Sequence, residues 1–101
     1  MKKTEEYKSL DYLKDDIELQ KEFIKELLKE YFIDNNTQAS LSALKPLILM
    51  NNTVDGFAKK CKMQRTYFYK LFKNEIIPNF STIITIIKAL GFNIDFDLKV
   101  A

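Results

Sequence analysis

Apolar residues recur at three- and four-residue spacing through most of this chain, and two glycines and two prolines leave little to interrupt them. That pattern predicts long helices joined by brief turns. Ile17, Phe23, Ile24, Leu27, Leu28 and Tyr31 fall on one face of a first helix. It starts at Asp15 or Asp16, whose carboxylates suit an N-cap and first turn, and runs to about Phe32. The rest of its surface sets Glu22 with Glu26 and Lys25 with Lys29 at four-residue spacing, a solvated face of mixed charge. The turn DNNT leads, with Thr37 as cap, into a second helix that carries Leu41, Leu44, Leu47, Ile48 and Met50 inward. Pro46 lies within it. An interior proline costs about 3 kcal/mol, so the helix either kinks near Ser42 to Lys45 or restarts at Lys45, and one kinked helix is the favoured form.

Thr53 can cap a short helix from Val54 to about Lys60 that buries Phe57 and Ala58. A turn at Lys62 and Met63 then opens a helix from about Arg65 to Phe72, with Phe68, Leu71 and Phe72 facing in. Pro78 stops helix from running through NEIIPN. Ser81 or Asn79 caps a last helix holding Ile83, Ile84, Ile86, Ile87 and Leu90, and Gly91 ends it as a C′ residue. Beyond Gly91, Phe92, Ile94, Phe96 and Leu98 alternate with Asn93, Asp95, Asp97 and Lys99, which predicts a strand with one buried face. A lone strand cannot satisfy its own backbone. With no second strand evident, a symmetry mate in a homodimer is the simplest partner.

A length of 101 residues fits one domain with a modest core. Its formal net charge of +2 says little by itself. The distribution says more: residues 1 to 34 hold ten acidic and seven basic side chains, residues 35 to 101 four acidic and nine basic, for nets of −3 and +5. Two halves of opposite sign suggest two tasks. One cysteine, Cys61, and no histidine exclude a disulfide framework and a zinc site of the usual ligands. Cys61 reads as a small hydrophobic helix residue. The chain offers no apolar run of the ~18 residues needed to span a bilayer and no apolar leader in MKKTEEYKSL, so the cytoplasm is the expected compartment. No catalytic constellation, cofactor loop or small-molecule site is visible, and Asp15 with Asp16 is explained as a helix start.

The positive charge concentrates in FAKKCKMQRTYFYKLF, residues 57 to 72, which has no acidic residue. Two short helices hinged at a tight turn, with a basic outer surface, are what reading a DNA major groove requires. Residues at and just inside the start of the second helix would enter the groove: Gln64, Arg65, Thr66, Tyr69 and Lys70. Arg65 suits a bidentate bond to guanine and Gln64 one to adenine. Lys59, Lys60, Lys62 and Lys73 would lie near phosphates, and the hydroxyls of Thr66, Tyr67 and Tyr69 suit either task. The competing reading is an ordinary lysine-rich solvated face.

TVDGFAKKCKMQRTYFYKLF resembles the helix-turn-helix of the lambda-repressor and Cro class, with Ala58, Met63 and Phe68 at its three packing positions. QRTYFYKLF followed by IPNFSTIITIIKALGF resembles the S-R-x-S-L-Y-K-A-L and N-P-x-x-x-T-x-x-K-V-L-x-A-L-G-L pattern of probable addiction-module antidote proteins, a HigA-like antitoxin family. The likeness covers about residues 10 to 97. It implies a mainly α, five-helix lambda-repressor-like domain, here with a short C-terminal β-strand. The segments would be a flexible lead at 1–14, N-terminal helices at 15–52, the helix-turn-helix region at 53–91 and the strand at 92–101. Three positions depart from the pattern: Lys62 replaces the turn glycine, Val54 a phosphate-binding glutamine and Gln64 a serine cap.

The resemblance further implies an antitoxin that neutralises a RelE/ParE-superfamily toxin and represses its own operon on operator DNA, while the homodimer rests on the unpaired strand. The acidic N-terminal half would face the basic toxin through Glu18, Glu22, Glu26, Glu30 and Asp34. The alternative is a free-standing helix-turn-helix regulator without a toxin. An enzyme is not expected.

Overall fold

A computed structural model describes residues 13–95 and 97–100. Among these residues five helices follow one another: α1 (Ile17–Asp34), α2 (Thr37–Asn51), α3 (Val54–Lys60), α4 (Arg65–Phe72) and α5 (Phe80–Ala89). Most of their starts are fixed by side-chain caps. Asp16 accepts from the Leu19 N–H at 3.1 Å, Asn36 from Ala39 at 3.0 Å, Thr53 from Gly56 at 3.0 Å and Asn79 from Thr82 at 2.9 Å. Each satisfies a backbone donor that the first helical turn leaves open. Asn36 takes the role expected of Thr37, in keeping with the higher capping preference of asparagine. The Thr37 hydroxyl instead donates to the Pro78 carbonyl at 2.5 Å, tying the start of α2 to the segment before α5.

The core joins all five helices through Ile24 and Leu27 of α1, Leu41, Leu44, Leu47 and Ile48 of α2, Phe57 and Ala58 of α3, Phe68 and Leu71 of α4, and Ile83, Ile86 and Ile87 of α5. Leu13 joins it with 1% exposure although it falls within the lead segment expected to be flexible. The Gln20 side chain donates to the Leu13 carbonyl at 2.6 Å and holds the approach to α1 in place. The remainder of that expectation, residues 1–12, lies outside the described residues. Ile17, assigned to the inner face, is 58% exposed, because the face that meets α2 begins at Phe23 and Ile24. Pro46 neither ends nor restarts α2, which is continuous from Thr37 to Asn51. The buried Leu44, Leu47 and Ile48 around Pro46 supply packing that offsets the lost backbone bond.

The expected C-terminal strand is absent among the described residues. Gly91, at φ 103°, closes α5 with the Phe92 N–H bonded back to Ile87 and its own N–H to Lys88. Phe92 and Ile94 then lean on the core, so the inward half of the alternation holds that far. Farther on, Leu98 is 95% exposed and Val100 fully so. Alternation alone does not make a strand: ladder hydrogen bonds do, and no neighbouring strand is present among the described residues to supply them. Phe96, part of the same alternation, lies outside those residues.

Candidate nucleic-acid interface

The α3–α4 pair is built on three residues. Ala58 and Phe68 are buried, and Met63 packs against the core from the connecting turn. Phe57 and Phe68 meet at 5.9 Å between ring centroids and Phe68 meets Phe72 at 5.4 Å, so the two helices share one aromatic seam. Cys61 lies beside it, and burial pushes its thiol up to about 11, which leaves it neutral and unreactive at ordinary pH.

The connecting turn is a paired-bond helix stop. The Met63 N–H reaches the Ala58 carbonyl and the Lys62 N–H that of Lys59, both at 3.0 Å, with Lys62 at φ 57°. This left-handed position normally selects glycine. Lys62 occupies it at the cost of backbone strain, and its side chain stays exposed. Gln64 is the N-cap of α4 and makes no capping side-chain bond, so α4 begins without the support that the other four helices have. Its far end is better held: the Lys45 ammonium donates to Asn74 Oδ1 at 2.9 Å and stands 5.6 Å from the Phe72 ring centroid. Burial lowers the Lys45 pKa.

Along the outer side of α4, Arg65, Thr66, Tyr69 and Lys70 line an open groove of about 400 Å³ together with Lys73 and Glu75. A neighbouring hollow is lined by Asp55, Ala58, Lys59, Met63 and Arg65, so Arg65 borders both. These two concavities bring together Lys59, Arg65, Thr66, Tyr69 and Lys70 from the sequence-based set. Gln64 and Lys62 are exposed and line neither, and Tyr67 packs its ring partly against the core. Two acidic neighbours were missed. Glu75 borders the groove, and Asp55 Oδ1 stands 3.0 Å from Arg65 Nε. Both fall outside residues 57 to 72, the window whose lack of acids pointed to this face; only folding brings Asp55 across the turn to Arg65.

The acidic face of α1 is compensated along much of its length. Glu18 pairs with Lys21 at 2.9 Å, Glu22 with Lys25 at 3.6 Å and Glu26 with Lys29 at 3.4 Å. The hydrogen bond and charge of Glu18 raise the Lys21 pKa. Glu30 has no such partner among the described residues, and the last turn of α1 carries no basic residue. Asp34 accepts from the Asn36 N–H at 3.0 Å and so serves the turn. Beside them Phe32 is 60% and Ile33 83% exposed. Tyr31 stacks on Phe80 of α5 at 4.6 Å, extending the apolar surface across two helices.

No group of three or more histidine, cysteine or carboxylate side chains among the described residues is arranged to hold a metal ion, and none of these helices is long and apolar enough to cross a membrane. A family model described as "Probable addiction module antidote protein" matches residues 3–98. The chain belongs to that family. No curated protein and no solved structure matches it. Membership in an antidote family carries an antitoxin role and a toxin as partner. The antidote thus has two outward features to account for, the basic face of α3 and α4 and the acidic, partly apolar face of α1.

Proposed function

We propose that this antidote binds operator DNA through α4 in the major groove, represses its own operon and restrains a RelE/ParE-superfamily toxin by direct contact. The observation that carries the DNA reading is the groove in which Arg65, Thr66 and Lys70 stand together on an exposed helix face, with Lys59 and Lys73 at its margins. Arginine and threonine at the start of such a helix suit base edges, and the flanking lysines suit phosphates. Working as a homodimer, two copies would read half-sites about 34 Å apart. With no C-terminal strand among the described residues, that pairing no longer rests on a shared sheet.

On the toxin side, the lysine-compensated Glu18, Glu22 and Glu26 contribute modestly to attraction. Glu30 with exposed Phe32 and Ile33 makes the stronger docking surface for a basic protein, combining uncompensated charge with buriable apolar area. Gel shift of the full chain on the DNA upstream of its own coding sequence tests repression: a retarded band that survives excess scrambled duplex is expected, and equal competition by scrambled duplex overturns it. Co-purification with the product of the adjacent gene tests the toxin contact. Phe32→Ala with Ile33→Ala should weaken that capture at least about tenfold, from the loss of two buried anchors; retention at the parental level would place the toxin elsewhere.

A further inference from the structure

Arg65 is 73% exposed, yet two neighbours restrain it. Asp55, near the start of α3, places Oδ1 3.0 Å from Arg65 Nε across the turn. Tyr69, one turn along α4, has its ring centroid 5.6 Å from the guanidinium carbon. The carboxylate oxygen is shielded from solvent and lacks a well-directed hydrogen bond, since the Nε–H is near it without being aimed at it. A shielded acceptor in that state is an unmet demand, and a small rotation of the guanidinium satisfies it.

We propose that Asp55 is a positioning residue that presents Arg65 to a guanine edge and thereby sets base discrimination. The inference rests on the DNA-reading role proposed above. A guanidinium is planar and carries donors on two sides. With Nε turned to Asp55, the two terminal Nη groups of this exposed side chain are left to act as a fork that matches O6 and N7 of guanine. Holding a long side chain in its bound orientation removes much of the ordering cost on docking. Asp55 also opposes phosphate through its charge, so it favours the one register in which Arg65 meets a base and disfavours loose backbone binding.

These two effects give Asp55→Asn an unusual signature. Affinity for the upstream duplex should fall about fivefold, the scale of one side chain released from a fixed rotamer. Affinity for a scrambled duplex of equal length should stay level or rise, because one negative charge near phosphate is gone. Asp55 also stands in the first turn of α3, where an acidic residue favours the helix, and a purely structural role would lower binding to both duplexes together. The cycle with Arg65→Lys separates them further: lysine cannot form the fork, so Asp55→Asn in that background should leave base discrimination unchanged. An equal loss in both backgrounds, or unchanged discrimination in the parental one, overturns the proposal. If the parental chain itself fails to distinguish the two duplexes, the DNA-reading role falls and this inference falls with it.

Discussion

Cys61 illustrates how a residue of nucleophilic type becomes structural. It lies 7% exposed beside the seam between α3 and α4, and its thiol is pushed up to about 11 from an ordinary 9.0. The native state therefore retains a proton that the unfolded chain releases between those values. Stability from this group is fully present below pH 9 and is lost as pH rises towards 11. We expect the parental chain to lose about 2 kcal/mol of unfolding free energy over that window relative to Cys61→Ala, measured by urea denaturation. Parallel pH profiles would show that the thiol is not desolvated in the native state. The sequence already marked Cys61 as a plain hydrophobe, since it had no metal-ligating or disulfide partner. It did not reveal Asp55 beside Arg65, because that contact exists only once α3 and α4 are crossed.

At the level of elements, the caps and breaks were legible to within a residue or two. Asp16, Thr53, Asn79, Gly91 and Pro78 each act through local backbone chemistry that needs no tertiary context. Lys62 was legible only through the resemblance, which sets glycine at that turn position, and the backbone there is left-handed at φ 57°. Lys62→Gly should raise stability by about 1 kcal/mol, the steric cost of a left-handed non-glycine residue less the entropy of a more flexible unfolded chain. Thermal unfolding would register this as a midpoint several degrees higher, and a lower midpoint would mean that Lys62 makes stabilising contacts beyond its backbone. What failed were inferences that depend on distant partners. Phe92 to Lys99 alternate like a strand in sequence, yet the described residues offer no ladder to join. Ile17 shares the periodicity of α1 but extends past the body that would cover it. Pro46 did not belong with these: a single helix through it was the favoured form, and α2 runs unbroken from Thr37 to Asn51.

Over the whole molecule, the division of charge into a −3 first third and a +5 remainder corresponds to different surfaces, but less simply than counting suggests. Lysines one turn away blunt most of the acidic face of α1 and leave its last turn as the distinctive part. The basic face is likewise not uniform, since Asp55 and Glu75 stand within it. A surface that mixes restraint with attraction suits selective reading better than bulk adhesion to polyanions. The most direct test is titration of labelled upstream duplex with the parental chain and with Arg65→Ala combined with Lys70→Ala, followed by fluorescence anisotropy, with the thermal midpoint as a check on folding. A loss of affinity of at least about tenfold, about 1.4 kcal/mol or more, is expected in a variant that remains folded. Undiminished binding by that variant would contradict it and show that DNA is held by another face.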